Sequence, residues 1–362
     1  MKLVAASALI SGVLEANVAI EYNAGVITSI ELDSPQTPTV TGTLLPGFVD
    51  IHCHGGGGYY FSAQSPAQIS KVIELHNWHG TTSMLASLVS EPIETLILQI
   101  EMLLPFIQQG AIRGIHLEGP YLAHSHCGAH DPVLLRKPSI TELERLIATS
   151  HNTIKMVTIA PELEGAIPVI EFLVSQGITV ALGHSGADAI TTRAAIAAGA
   201  TIITHFNNGM PKLDSGDNIS SISLADSTMA IEFILDGVHV DEISTERILK
   251  AAPKRLIAVT DAMSAAGSND GDYTIGKLPV RVKNGVARLN SNDSLAGSTL
   301  TMDRAFLYLI NNFEFSINEA VHATSTLPAE RIGLNDVGSI EIGKRADFVE
   351  LTFSREINPL KS

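Results

Sequence analysis

Cysteine, basic residues and long apolar runs are all scarce in this chain of 362 residues. The two cysteines, Cys53 and Cys127, are too few for a disulfide framework, which points to a reducing compartment. Acids outnumber bases 38 to 23, giving a formal net charge of −15 with no basic stripe, so nucleic acid is not an expected partner. No segment reaches the roughly 18 consecutive apolar residues of a membrane span. The opening MKLVAASALI carries one lysine but runs soon into Ser11, Glu15, Asn17 and Glu21, unlike a signal peptide. Internal repeats and low-complexity tracts are also missing. These absences describe a soluble, cytoplasmic protein without a membrane or nucleic-acid role. What the chain does have is 45% hydrophobic residues, enough for a large packed core.

That hydrophobicity is distributed as short apolar runs alternating with amphipathic stretches. The runs are TLLPGFVDIHCH, TTSMLASLVS, IRGIHLEGP, TIKMVTIAPE, ITVALGHSG, TIITHFNNGM, AIEFILDGVHV and RLIAVTDAMS. Helical periodicity predicts helices near 66–79, 91–109, 141–149, 163–176, 187–198 and 241–252. Near-continuous apolar strands between helices indicate a parallel sheet covered on both faces. A doubly wound open sheet and a (β/α)8 barrel both satisfy this pattern. The strand ends decide. His52 and His54 end the first run, Glu118 the third, His184 the fifth, His205 the sixth, His239 the seventh and Asp261 the eighth. Polar groups at so many strand ends converge only if the sheet closes on itself, so a TIM-like barrel is expected.

The flanks differ. Residues 1–48 alternate apolar and polar residues around turn signals such as Asn23-Ala24-Gly25, and 338–353 read the same way. Both ends are therefore expected to build one small β-sandwich domain, from 1–48 and 325–362, beside a barrel spanning 49–324. Asn284-Gly285 between two alternating runs predicts a β-hairpin at 277–290, inserted after the eighth strand.

In the stretch VDIHCHGGGG, strand alternation sends His52 and His54 to one side and Cys53 to the other. The glycines that follow would let backbone approach whatever the histidines hold. His52/His54 and His184/His205 form two candidate metal-binding pairs, with Glu118 able to serve either or bridge both. Histidine and carboxylate donors without thiolate suit Zn2+, with Fe2+, Co2+ or Mn2+ as alternatives. Open coordination positions in a barrel mouth favour catalysis over a structural role. A metal lowers the pKa of bound water, and Asp261 is the natural group to take that proton and pass it on.

Taken together, His-x-His after strand one, single histidines after strands five and six, and aspartate after strand eight resemble the amidohydrolase superfamily. Many of its members bridge two metals with a modified lysine at the end of strand four; Lys155 stands too early in its run for that. Glu118 in GIHLEGPYL is instead similar to the bridging glutamate of the N-acetylglucosamine-6-phosphate deacetylases. The likeness continues in order through LLPGFVDIHCHG, HLEGPYL, GAH, LGHSGAD, THFNNGM, DGVHV, VTDAMSAAG, LAGSTLTMDRA and GSIEIGKRADFVEL.

This resemblance implies metal-dependent hydrolysis of the acetamide of an N-acetyl amino sugar 6-phosphate, with one or two divalent ions per chain. It implies metal contacts from His52, His54, Glu118, His184, His205 and Asp261, with Asp261 as general base and then acid. His130 would orient the acetyl carbonyl, and Asn208 and Gly209 would contact the sugar or its 6-substituent. His239 would reach the substrate of a neighbouring subunit in a homodimer. For His76, His79, His124, His126 and His151 a surface or helix position is expected. One departure stands out: relatives usually carry an arginine in an R-E-P-G turn after THFNNGM, where this chain reads PKLDSGDNISSISLADS, with Lys212 as its only cation. Lysine is a poor substitute for a bidentate phosphate clamp. A galactosamine epimer, an unphosphorylated sugar, and a non-catalytic sugar-binding barrel therefore remain as alternative readings.

Overall fold

The barrel strands are β1 (Phe48–Cys53), β2 (Thr81–Leu88), β3 (Gly114–Glu118), β4 (Ile154–Ile159), β5 (Thr179–Leu182), β6 (Ile202–Ile203), β7 (Ala230–Ile234) and β8 (Leu256–Val259). In the computed structural model, which describes residues 1–360, they lie side by side in chain order, all parallel. The seam between β8 and β1 is closed just beyond the strand ends. Asp261 N donates to His52 O at 2.8 Å, and His54 N donates to Ala262 O at 3.0 Å. Thr260 Oγ1 adds a 2.6 Å hydrogen bond to Asp50 Oδ2 across the same seam. Asp50 is fully buried, and burial pushes its carboxyl up to about 6 despite that hydrogen bond. Every residue of β1, β3, β7 and β8 is buried, as expected for strands with helices on one side and a filled barrel interior on the other.

Helices α1 (Pro66–Trp78), α2 (Ile93–Gln108), α3 (Ile140–Thr149), α4 (Ala166–Ser175), α5 (Ala189–Ala197), α6 (Ile219–Ala225), α7 (Glu242–Ala251) and α8 (Met302–Asn312) follow the eight strands in turn. The six helices expected from periodicity are all present; α6 and α8 are additional. Several start on side-chain caps: Ser139 on α3, Asp188 on α5 and Asp241 on α7 each accept from a backbone N–H of the first turn. Such a cap typically contributes about 1 kcal/mol. Because each helix follows the strand before it in the chain, helix starts and polar strand ends lie toward the same rim of the barrel.

The glycines after β1 serve the fold differently from their expected role. Gly55 and Gly56 pair with Tyr59 and Tyr60 in a small hairpin against α1. A Cβ on Gly56 would lie 2.5 Å from Leu75 Cδ2 and 3.0 Å from His76 Nε2. The run thus lets backbone lie against α1 rather than against a ligand. His76, expected at the surface or on a helix, is on α1 but fully buried, with Nε2 2.9 Å from Gly55 O.

Both chain ends meet in one six-stranded sheet, in the order Ile357–Leu360, Phe348–Leu351, Val40–Pro46, Lys2–Ile10, Val13–Asn23, Val26–Glu31. One pair, Lys2–Ile10 with Val40–Pro46, is parallel, and the others are antiparallel. Residues 343–346 return to the far edge, with Ile27 N donating to Lys344 O and Ala346 N to Gly25 O, both at 2.8 Å. The sheet therefore folds over its own apolar core of Val18, Ile20, Leu44 and Phe348. A helical segment from Ile317 to Arg331 precedes the C-terminal strands. Leu327, Ala329, Ile332 and Leu334 pack with the barrel, so a divide at 324/325 falls inside this segment rather than between the two cores.

The expected hairpin is present as Leu278–Lys283 and Val286–Leu289, turning at Asn284 (φ 53°) and Gly285 (φ 73°), the left-handed pair of a tight hairpin turn. Gly271–Ile275 adds a third strand. Among the described residues, no helix is long and apolar enough to cross a membrane.

Candidate active site

Seven side chains from five strand ends and one loop meet at the rim. Glu118, at the tip of β3, is their centre. Its Oε1 lies 3.1 Å from His184 Nε2, 3.2 Å from His205 Nε2 and 3.5 Å from His52 Nε2. Its Oε2 lies 3.2 Å from both His54 Nε2 and His130 Nε2. Asp261 Oδ1 faces the first pair, 3.3 Å from His54 Nε2 and 3.6 Å from His52 Nε2. All seven are among the candidates singled out in the sequence, and the structure brings them together in a buried cluster. His184 (φ 48°), His205 (φ 28°) and Asp261 (φ 47°) hold left-handed backbone conformations. Such positions cost side-chain-bearing residues energy and cluster where the surrounding structure enforces a functional geometry.

The outer nitrogens explain what the inner ones can do. His52 Nδ1 is 3.2 Å from Glu232 Oε2, His54 Nδ1 is 3.2 Å from Ser87 O, and His184 Nδ1 is 2.8 Å from His126 O. Each partner only accepts, so in the neutral ring each Nδ1 carries the proton and each Nε2 presents a lone pair inward. Those lone pairs face one another, at 3.1 Å for His52/His54 and 3.0 Å for His184/His205, and they also face carboxylate oxygens. Acceptors packed against acceptors repel unless something positive lies among them. Neighbouring ligands around a tetrahedral ion with bonds of about 2.0 Å are about 3.3 Å apart, which matches this spacing. The residues fit a divalent cation, with His52, His54 and Asp261 on one side, His184 and His205 on the other, and Glu118 reaching both.

Without a cation, protons take over the compensation. Burial presses on His54, but hydrogen bonds to Asp261 and Glu118 push it up to about 9. His52 is likewise held well above its usual range, burial being outweighed by Glu118 and Asp261. Asp261 falls to about 2, because His52 and His54 outweigh its burial. Glu118 lies well below the carboxylate range, its burial outweighed by the surrounding histidines, His52 first among them.

His130 is set apart by its hydrogen bonds. Ser90 N donates to its Nδ1 at 3.3 Å, so the neutral ring carries its proton on Nε2, aimed at Glu118 and the pocket. Burial lowers its pKa and keeps it a neutral donor. Two glycines, Gly128 and Gly209, close on the His184 ring: a Cβ on either would come within 3.0 Å of it, and both have positive φ.

The cavity over these groups measures about 430 Å³. Asn208, Gly209, His239 and Lys212 also line it, together with Ile275, Leu295 and Gly297 from the segment inserted after β8. Lys212 is its only lysine or arginine; Nζ sits 2.6 Å from Asn207 O, and burial lowers its pKa. His239, assigned by resemblance to a neighbouring subunit's substrate, lines the pocket of its own chain, its Nδ1 held 2.7 Å from Asp236 Oδ2.

Three supporting residues escaped the sequence reading. Glu232 and His116 lie within apolar strand segments, and Asp236 precedes His239 in a turn. His116 packs edge-on against His52 at 4.6 Å and bridges Ser87 Oγ (2.9 Å) and Thr158 Oγ1 (2.8 Å). An ionisable residue inside an otherwise apolar run, as in GIHLE and AIEFI, was the available signal.

A closed parallel barrel whose strand ends focus imidazoles and two carboxylates on one buried point defines a metal-dependent barrel hydrolase. The amidohydrolase family model matches residues 43–360. N-acetylgalactosamine-6-phosphate deacetylase of Escherichia coli O157:H7 is 36% identical over 90% of this chain and 88% of its own. N-acetylglucosamine-6-phosphate deacetylase of Vibrio furnissii is 33% identical over 93% of this chain and 87% of its own. The crystal structure of N-acetyl-D-glucosamine-6-phosphate deacetylase from Mycobacterium smegmatis superposes with a TM-score of 0.94 at 37% identity, covering 99% of this chain and 97% of that one. The chain belongs to the amidohydrolase family, among its N-acetylglucosamine-6-phosphate deacetylases, and is a metal-dependent enzyme.

The buried charges make metal binding pH-dependent in a defined direction. His54, raised from 6.5 to about 9, stabilises the metal-free protein below about pH 6.5 and loses that contribution as pH rises through about 9. Asp261, lowered from 3.8 to about 2, contributes above about pH 4 and loses its effect only as pH falls towards 2. Metal must displace the histidine protons, so affinity should climb between about pH 6.5 and 9, by about tenfold per pH unit for each proton released. Over the same window the metal-free protein should unfold at progressively lower temperature. Chelator-competition titrations and thermal scans check both trends; affinity flat across that range would contradict them.

Proposed function

We propose that this enzyme hydrolyses the acetamide of N-acetylglucosamine-6-phosphate, releasing acetate and the amino sugar phosphate. The observation that carries the reading is the buried convergence of Glu118, Asp261 and five histidines in a cavity that is also lined by a single lysine, Lys212. Zn2+ is the ion we propose, at one or two per chain, on the grounds of imidazole and carboxylate donors without thiolate; Fe2+, Co2+ and Mn2+ suit the same donors. When bound, such an ion polarises a carbonyl and lowers the pKa of water.

The chain's own residues supply the remaining steps. Asp261 takes the proton of the attacking water as the new C–O bond forms at the acetyl carbon. His130 donates its Nε2–H to the carbonyl oxygen, where negative charge develops. The C–N bond then breaks with its electron pair on nitrogen, and Asp261 returns the proton there, so amine and acetate leave. Lys212 and His239, which line the same cavity, face the 6-phosphate, while Asn208 and Gly209 border the sugar.

A second reading concerns the epimer. The relative from Escherichia coli O157:H7 is named for N-acetylgalactosamine-6-phosphate, which supports that sugar as an alternative substrate. We also place the enzyme in the cytoplasm, supported by its two unpaired cysteines. A homodimer built around the His239 loop is supported by Val238 and Ile243, 39% and 82% exposed, apolar side chains that a second copy would cover.

Asp261→Asn should leave folding and metal content close to wild type while lowering kcat by about 10²–10⁴-fold, the usual worth of a positioned proton carrier. Near-native turnover would remove Asp261 from the mechanism. The substrate is tested by kcat/KM on N-acetylglucosamine and N-acetylgalactosamine, each with and without a 6-phosphate. A hydrogen bond to a charged group is worth about 1.5–3 kcal/mol, so the phosphorylated forms should lead by roughly 10–150-fold. That advantage should shrink in Lys212→Met. Faster turnover of the free sugars would overturn the phosphate reading, and release of acetate from none of them would overturn the deacetylase reading.

A further inference from the structure

Glu232 takes no part in the steps above, yet it is fully buried in the middle of β7. Its Oε2 is 3.2 Å from His52 Nδ1 and 3.3 Å from the backbone N of His205. Its Oε1 has no hydrogen-bond partner. A carboxylate this deep is costly to keep, and its two donors belong to residues of the two histidine pairs, which meet on the far side of the His52 ring. Buried charges persist when a compensating charge is close, and a cation beyond His52 would provide it.

We propose that Glu232 is a positioning residue for the metal centre, acting through His52 on one side and the His205 backbone on the other. By accepting from Nδ1 it fixes the His52 tautomer, turns the Nε2 lone pair inward and makes the ring a stronger donor. By accepting from His205 N it steadies the residue whose backbone is held at φ 28°. One carboxylate thereby ties the strand-one ligands to the strand-six ligand. The inference rests on the reading of this site as a divalent-metal centre, and the test separates the two.

Metal-stripped wild type and Glu232→Gln are titrated with Zn2+ against a chromophoric chelator. The amide retains the shape and an acceptor oxygen but removes the charge. We expect affinity to fall by about 10–100-fold, the usual effect of losing such an outer partner. In His52→Gln, adding Glu232→Gln should change affinity far less than it does in wild type, since the ring it acts through is missing. A merely structural role predicts an undiminished effect in the His52→Gln background. A measurement on wild type stands independently of whether the variants fold. Long-range 1H–15N spectra of the Zn2+-loaded, histidine-labelled protein should show the His52 proton on Nδ1. A proton-free Nδ1, or unchanged affinity in Glu232→Gln, overturns the role of Glu232 alone; failure of wild type to bind Zn2+ overturns the metal reading itself.

Discussion

Too many acceptors share one buried space at the mouth of this barrel, and that constraint organises everything around it. Glu118 and Asp261 bring negative charge, and His52, His54, His184 and His205 bring imidazole nitrogens to within 3.0–3.6 Å of one another and of those carboxylates. The outer nitrogens of three rings are committed to Glu232, Ser87 O and His126 O, so these rings cannot relieve the conflict by changing tautomer. A cation among them resolves it at once. The left-handed backbone at His184, His205 and Asp261 becomes intelligible as the geometry that aims these groups inward, held by a rim whose hydrogen bonds leave little freedom.

Barrel closure is what makes the constraint possible. Asp261 reaches His52 and His54 only because β8 returns to β1, and the hydrogen bonds that seal the seam, from Asp261 N to His52 O and from His54 N to Ala262 O, are made by the site residues themselves. Fold and site are therefore one set of contacts there. Asp50 and Thr260 extend the seam inward, and His116 packs behind His52, so the polar rim rests on a polar layer inside the barrel before the apolar interior begins. Residues flanking the inserted hairpin, Ile275 and Leu295 among them, line the cavity together with the candidate metal ligands and a single lysine.

Much of this was legible in the sequence because strand ends punctuate apolar runs. A histidine or acid that terminates such a run is conspicuous, which is how His52, His54, Glu118, His184, His205 and Asp261 were found together. Residues inside the runs were hidden by the same contrast: in a closed barrel an inward-facing position can be polar without breaking the pattern of burial, as with Glu232 and His116. The glycines of 55–58 showed the limit of reading local freedom, because what a Cβ on Gly56 would meet is Leu75 and His76 on α1, about twenty residues away in the chain. The burial of His76 and the third strand beside the 277–290 hairpin depend on similar tertiary contacts. For His130 the sequence offered a loop histidine; its hydrogen bonds to Ser90, forty residues earlier, turn it into a fixed donor.

The central claim is that the converging lone pairs hold a divalent cation. Anomalous diffraction from crystals of the Zn2+-loaded protein, recorded on both sides of the zinc absorption edge, tests it most directly. One or two peaks should lie among the Nε2 atoms of His52, His54, His184 and His205, in contact with Glu118. Anomalous density confined to the surface, with those four rings packed together around no ion, would contradict it.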